Sequence, residues 1–168
     1  MKAKLIQFIT IFLLMLVTGV FWGTWFSLTR SLNIFSATEF IHIGKTIIAN
    51  VAVPMKIIFP ACIVFMILSL WWYPVKRSAG FYWGWAALCF LIITLVITLM
   101  ILVPIDNQIK QWTEATIPTD WEMMRSRWDY FHTMRTFASL ASFACFVIAI
   151  LNADMTIKIS RSGQAETG

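Results

Sequence analysis

Residues 5–29 read LIQFITIFLLMLVTGVFWGTWFSLT, and this stretch of 25 residues contains no charged side chain. The hydrocarbon core of a bilayer is about 30 Å thick, and an α-helix of about 20 apolar residues crosses it. The stretch is longer than the apolar part of a secretory signal, which has about 7 to 15 residues, and no small-x-small cleavage pattern follows it. It is therefore predicted to be a retained first membrane-spanning helix.

Three further stretches of the chain lack charged residues, namely 57–75, 78–105 and 136–153. The whole sequence is 60% hydrophobic and only 12% charged, which is typical of integral membrane proteins. We predict an all-α fold in which four spanning helices form a membrane bundle. Residues 1–155 are assigned to this transmembrane domain and residues 156–168 to a polar cytoplasmic tail.

The basic residues predict how the chain is oriented. If the chain crosses four times, most of them fall on one side of the membrane, which the positive-inside rule makes the cytoplasmic side. Both termini are then cytoplasmic, and we expect a bacterial inner membrane as the location. The net charge of +5 is explained by anionic lipid head groups, and no nucleic-acid-binding motif competes with that explanation. The residues behind this orientation are Lys2, Lys4, Lys76, Arg77, Lys158 and Arg161.

Two of the predicted helices are longer than the membrane is thick. Counting about 20 residues back from the inner end of the second helix places the outer surface near Val53, yet a helical pattern continues back to Glu39. The same count from Asn152, the expected end of the fourth helix, leaves residues 121–132 above the bilayer. The third helix is expected to end at Pro104.

One face of the fourth helix is polar and aromatic where a spanning helix usually carries leucine or valine. Residues 121–135 read WEMMRSRWDYFHTMR, and five of them fall within roughly an 80° arc at about 100° per residue. We call this face the fourth-helix stripe. It consists of Trp121, Arg125, Trp128, His132 and Arg135.

A matching second-helix stripe occurs at the same depth. It consists of Glu39, His42, Thr46 and Asn50, again within roughly an 80° arc. If the two stripes face each other, they form a polar cleft near the outer membrane surface, with Asp106 and Asn107 at the right height to close it. Glu39 and Asn50 are then candidate substrate-binding residues.

The two histidines are the first candidates for chemistry, because an imidazole titrates near pH 6.5. His42 and His132 are therefore candidate proton carriers, although each would also be explained by a structural hydrogen bond. They are alternatively a ligand pair for haem or for a metal ion that Glu39 or Asp106 completes. Haem ligands in four-helix cytochromes usually lie in apolar spans with small neighbours, whereas the neighbours here are bulky and charged.

The arginines and tryptophans of the fourth-helix stripe suit a flat anionic ligand. Arg125 and Arg135 would pair with a phenolate or enolate, and Trp121 and Trp128 would stack on an aromatic ring. Anchoring at the lipid surface explains the same residue types without any ligand. These residues alone are compatible with two interpretations, a binding site for a small aromatic substrate and a purely structural interface.

The three cysteines exclude one class of small membrane enzyme. Cys62, Cys89 and Cys145 lie in different apolar segments without C-x-x-C spacing. Four-helix thiol oxidoreductases need paired cysteines outside the bilayer, so that class is not expected.

The third and fourth segments also carry a recognisable pattern. Within and just after residues 103–135 lie P-x-x-N, which begins at Pro104, and W-x-x-x-H-x-x-R-T, which begins at Trp128. In a four-helix hydropathy pattern this resembles the anthrone-oxygenase-like family of small membrane proteins, formerly a domain of unknown function. The resemblance covers about 150 residues in hydropathy, but the first half of the chain matches only in general layout.

The resemblance implies an oxygenase that converts anthrones to anthraquinones with molecular oxygen and no added cofactor, as a few members do. It nominates Asn107, Trp128, His132 and Arg135. Under the mechanism that such a site permits, His132 removes an acidic proton, Arg135 and Asn107 stabilise the anion, and the carbanion reacts with oxygen directly. A second catalytic histidine, His42, rests on the stripe alone.

Two other functions remain as alternatives. The chain would be a non-catalytic membrane subunit or scaffold if the stripes only hold the long helices together and dock a partner protein or lipid. It would be an electron-transfer protein if haem or a metal ion lies between His42 and His132. A homo-oligomer is compatible with either alternative.

Overall fold

The computed structural model describes the backbone of residues 2–165 and the side chains of residues 2–153. All regular structure in this part of the chain is helical, as the sequence predicts. The elements in chain order are α1 (Lys2–Ser27), a 3-10 helix (Thr29–Ile34), α2 (Ala37–Trp71), α3 (Ala79–Ile97), a π-helix (Thr98–Leu102), α4 (Val103–Gln111) and α5 (Trp121–Ala165).

Within the part of the chain that the structure describes, four helical segments are long and apolar enough to cross a membrane, which agrees with the predicted integral membrane four-helix fold. They are Lys2–Ile34, Ala37–Trp71, Ala79–Gln111 and Trp121–Ala153. At 35 and 45 residues, α2 and α5 exceed the roughly 20 residues that a bilayer needs. The helical starts predicted near Glu39 and at Trp121 are confirmed, because α2 begins at Ala37 and α5 at Trp121.

The bundle is organised around α5, which packs against both α1 and α3, while α1 also packs against α2. Buried side chains of all four long helices form the main core, including Leu14, Met66, Leu91 and Phe146. Polar bonds between helices occur within it, because a hydroxyl in an apolar bundle needs a partner. Thr10 and Ser69 join α1 to α2 across 2.8 Å.

The start of α2 is fixed by a local pattern of hydrogen bonds. Ser36 and Glu39 form a capping box, in which the Ser36 side chain accepts from the Glu39 N–H and the Glu39 carboxylate accepts from the Ser36 N–H. The α2 helix then continues through Pro54 and Pro60. Glu39 thus owes its position to the start of the helix rather than to a cleft.

The C-terminal end of α5 lies further along the chain than expected. The helix does not end near Asn152 but continues to Ala165. No proline follows Asn152, and a helix can leave the bilayer without a break when its flanking residues tolerate helical geometry. The last residues of the predicted tail, 166–168, lie outside the described residues.

The third spanning segment also continues past its predicted end at Pro104. The Val103 N–H donates to the Thr98 carbonyl five residues earlier, so the helix contains one turn of π-helix before α4. Pro104 lies in the first turn of α4, where a missing N–H costs little. The chain therefore stays helical as far as Gln111.

The π-helix changes which side chains face the bundle. The buried positions before it are Thr94 and Ile97, and those after it are Leu102, Ile105 and Ile109. The step from Ile97 to Leu102 is five residues instead of three or four, so α4 is turned by about 100° relative to an uninterrupted helix.

The C-terminal end of α4 is bound to α2. The Lys45 ammonium of α2 donates to the Trp112 carbonyl, which follows α4, across 2.6 Å.

Candidate functional site

The centre of the fourth-helix stripe is a fully buried histidine. His132 has no exposed surface. Its Nδ1 atom receives two N–H groups from Arg135, with Nη2 at 2.8 Å and Nε at 3.2 Å. Arginine has only donors, so Nδ1 must be the acceptor, and the imidazole is neutral with its hydrogen on Nε2.

Trp128 stacks on His132 one turn earlier in α5. The ring centroids are 4.7 Å apart and the planes differ by only 10°. The Trp128 Nε1–H donates to Asp106 Oδ1 of α4 across 3.0 Å. A stacked and hydrogen-bonded indole has little freedom to turn, so Trp128 fixes the relative positions of α4 and the imidazole.

The first helix covers the other side of this arrangement. The Arg135 guanidinium carbon lies 4.4 Å from the ring centre of Phe21 in α1, which is a cation–π distance. Arg135 also interacts electrostatically with Asp106. The four residues Asp106, Trp128, His132 and Arg135 therefore form one cluster, which we call the inner cluster.

One atom of the inner cluster has no protein partner. His132 Nε2 is buried and makes no hydrogen bond to any residue that the structure describes. The Phe21 carbonyl of α1 lies near the imidazole, but its position does not allow it to accept a hydrogen bond from the Nε2–H. Buried polar atoms are nearly always paired, because burial without a partner costs about 1–3 kcal/mol. An unpaired imidazole N–H in a buried site is a donor available to a ligand or a water molecule.

A narrow apolar pocket lies beside the inner cluster. Its volume is about 20 Å³, and Asp106 and Trp128 are among its lining residues. A cavity that holds a single water molecule has a volume of about 10–15 Å³. The pocket is therefore too small for a fused-ring substrate unless the side chains that line it move. The remaining lining is apolar, from Leu28, Leu32, Phe35, Phe40, Ile43, Gly44, Ile47, Ile48 and Ile109.

Arg125, near the N-terminal end of the fourth-helix stripe, binds the segment that follows α1. Arg125 Nη1 donates to the Leu32 carbonyl at 3.2 Å and to the Phe35 carbonyl at 3.3 Å. The guanidinium carbon lies 4.7 Å above the Trp121 ring. Arg125 and Trp121, predicted as substrate-binding residues, are thus engaged by the protein itself in this structure.

The second-helix stripe does not face the fourth-helix stripe, so the predicted cleft between them is wrong. Glu39 caps its helix, and the His42 side chain is 70% exposed, with Nε2 3.5 Å from Glu114. Thr46 and Asn50 are exposed as well. The inward face of α2 is apolar instead, because burying Phe40 and Ile41 releases more free energy than burying polar groups.

Asn107, a predicted anion-stabilising residue, lies outside the inner cluster. It is exposed, and its Oδ1 accepts from Lys110 Nζ at 3.4 Å. Its neighbour Asp106 occupies the inward position instead. The signal that would have identified Asp106 is the spacing of Leu102, Ile105 and Ile109, because position 106 completes that inward-facing stripe.

The two histidines are not brought together. His42 is largely exposed and pairs with Glu114, whereas His132 is fully buried and pairs with Arg135. Among the residues that the structure describes, there is no group of three or more side chains placed to hold a metal ion. These contacts do not support a haem or metal site between His42 and His132.

A family model described as anthrone oxygenase matches residues 49–145, which is 97 of the 168 residues. The matched region contains the whole inner cluster and excludes Glu39 and His42. No curated protein and no solved structure matches the chain significantly.

Proposed function

Because the chain belongs to the anthrone oxygenase family, we propose that it is a membrane oxidoreductase that oxidises an aromatic, polyketide-like substrate of the anthrone class with molecular oxygen. The observation that carries this proposal is the unpaired N–H of the buried His132, which lies in the matched region and is stacked on an indole. A buried donor beside a cation is suited to an oxyanion, and an enolate is the anion that an anthrone forms.

The overall reaction needs only the substrate and oxygen. The methylene carbon between the two aromatic rings loses two C–H bonds and gains a C=O bond. One oxygen atom of O₂ enters the product, and the other leaves as water with the two hydrogens. The substrate loses four electrons and O₂ takes up four, so the balance requires no further oxidant or reductant.

The inner cluster supplies groups for the anion that precedes reaction with oxygen. The His132 Nε2–H would donate to the enolate oxygen, and the positive charge of Arg135 at Nδ1 would polarise that imidazole. This differs from the expectation that His132 is the base, because its only lone-pair nitrogen is taken by Arg135. Asn107 is left out of this scheme, because its side chain lies outside the inner cluster.

Substrate binding requires the apolar pocket to widen towards His132, because neither His132 nor Arg135 is among its lining residues. The pocket lies against Trp128, whose indole offers a flat surface for a second ring system. Two of its walls, Leu32 and Phe35, belong to the segment between α1 and α2 that Arg125 holds. We propose that this segment moves to admit the substrate from the membrane.

The test is an oxygen-electrode assay of the purified protein with anthrone, in detergent or in vesicles. We expect one O₂ consumed per anthraquinone formed, at a rate well above that with heat-inactivated protein. H132Q should lower the rate about 10²- to 10³-fold, as loss of an oxyanion donor does. R127Q is the matched control on the same helix, since Arg127 is exposed.

Two results would contradict the proposal. Oxygen uptake by the wild-type protein no faster than the uncatalysed reaction would exclude anthrone oxidation. A stoichiometric membrane protein that co-purifies with an inactive chain would instead favour the non-catalytic subunit.

We further propose that the chain lies in a bacterial inner membrane with both termini in the cytoplasm. The distribution of basic residues supports this orientation. In that orientation A115C, at an exposed position in the loop before α5, should react with a membrane-impermeant maleimide added to intact spheroplasts. K76C, in the turn before α3, should not react. The reverse labelling pattern would show the opposite orientation.

A further inference from the structure

We infer that Asp106 is the proton acceptor of the inner cluster and removes the methylene proton of the substrate, an inference that rests on the proposed function. The Asp106 carboxylate lies beside the apolar pocket and is largely shielded by the surrounding helices. It is the one carboxylate among the pocket-lining residues. From sequence, Asp106 was expected to close a polar cleft or to complete a metal site, and not to act as a base.

The hydrogen bonds of Asp106 leave one oxygen free. Oδ1 accepts from Trp128 Nε1 at 3.0 Å, which fixes the plane of the carboxylate. No residue that the structure describes donates to Oδ2. A general base needs a fixed position and an unoccupied lone pair, and Asp106 has both.

The other titratable side chains nearby are less suited to this role. His132 has its lone-pair nitrogen occupied by Arg135 and its other nitrogen protonated. Arg135 has no lone pair available. Glu39 and Glu114 are exposed at the outer end of the molecule, where they contact Ser36 and His42.

Asp106 accepts each proton that leaves the methylene carbon and then passes it on. A C–H bond of the methylene group breaks, the proton goes to Oδ2, and the electron pair delocalises onto the carbonyl oxygen, where His132 Nε2–H donates to it. The carbanion then bonds to O₂, and Asp106 returns the proton to give a hydroperoxide. Asp106 removes the second C–H proton as the O–O bond breaks, and the departing hydroxide takes that proton to form water.

The π-helix explains why this position carries an aspartate that reaches the site. If the helix continued without the π-turn, the face that carries Thr94 would next carry Ile101 and Ile105. Asp106 would then point about 120° away from Thr94. The extra residue of the π-turn turns α4 by about 100°, so Asp106 points within about 20° of the direction that Thr94 faces. Such single π-turns occur often at functional sites.

The test separates proton removal from oxidation. Anthrone is incubated with the protein in D₂O without oxygen, and exchange of the methylene protons is followed by NMR. D106N keeps the volume and the acceptor for Trp128 but removes the base, so exchange above background should fall about 10²- to 10⁴-fold. D106E should retain part of the rate.

The matched control is D120N, which makes the same chemical change at an exposed aspartate before α5. Wild-type near-UV circular dichroism in D106N would show that the Trp128 environment is intact. If D106N and wild type exchange equally, the inference about Asp106 is wrong while the proposed oxidation can stand.

The remaining outcomes are equally decisive. Exchange that depends on Asp106, without oxygen uptake in air, would support the base and refute the oxygenase. If the wild-type protein gives neither exchange nor oxygen uptake above background, both proposals are overturned.

Discussion

The Trp128 indole donates a hydrogen bond of 3.0 Å to Asp106 Oδ1, and this bond joins two helices through residues that are 22 positions apart in sequence. Trp128 is only 8% exposed, so the bond is shielded from water. On its other side the same indole stacks on His132. One side chain thus connects the carboxylate of α4 to the imidazole and guanidinium of α5.

Replacing Trp128 with phenylalanine tests the contribution of this bond to stability. W128F keeps an aromatic ring against His132 but removes the N–H, which leaves the shielded Asp106 carboxylate without its donor. We expect a loss of about 1.5–3 kcal/mol, because the acceptor is charged. Thermal unfolding in detergent measures it, with W83F as the control, since Trp83 is 43% exposed. Equal effects of the two substitutions would contradict the assigned role.

Deleting one residue of the π-helix should be tolerated, whereas deleting one residue of α3 should not. Met100 is 73% exposed, and its removal converts the π-turn to a regular turn with Asp106 still facing inward. Removal of Ile93, which is 47% exposed, instead rotates everything beyond it by about 100°. Near-UV circular dichroism of the tryptophans and the thermal midpoint compare the two deletions. A wild-type spectrum for the Ile93 deletion would contradict this account.

Removing the Arg125 side chain should loosen the segment between α1 and α2. R125Q loses the donors to the Leu32 and Phe35 carbonyls and the stacking on Trp121. We expect faster proteolytic cleavage within residues 29–35 and a loss of about 1.5–3 kcal/mol. R127Q is the control. Unchanged cleavage in R125Q would show that Arg125 does not hold the segment.

Gly80, in the first turn of α3, has no room for a side chain. A Cβ on Gly80 would overlap the Tyr73 hydroxyl and lie 3.0 Å from the Ala149 carbonyl oxygen. That hydroxyl donates to the same carbonyl across 2.6 Å, so G80A should break the bond and cost about 1–3 kcal/mol. G23A is the control, because nothing lies within 4 Å of its Cβ, and it should be neutral or stabilising. Equal thermal midpoints for the two variants would contradict the crowding at Gly80.

Much of the architecture follows from local sequence. Charge-free runs of about 20 residues must be helical in a bilayer, because no water is present to satisfy the backbone. The extended start of α2 is encoded by Ser36 and Glu39, whose capping box is a local pattern. The inward face of α5 is likewise encoded, since Trp128, His132 and Arg135 recur at helical spacing.

The residues that pack against that face of α5 could not be predicted from local spacing. The second-helix stripe has the right spacing and depth, yet its residues are exposed. Helical periodicity identifies faces but not which face meets which, because that choice depends on the total apolar area buried by all the helices together. The burial of Phe40 and Ile41 sets the rotation of α2 about its own axis, and this rotation leaves the His42 side chain exposed.

The sequence by itself determined that this chain is a four-helix membrane protein and that Trp128, His132 and Arg135 share one side of a helix, because both properties depend on spacing within a single segment. Only the tertiary structure decided that the α4 face that carries Asp106, rather than the face that carries Asn107, meets them. A single π-turn shifts the register of everything after it by one residue, and the apolar spacing within one segment does not reveal such a turn.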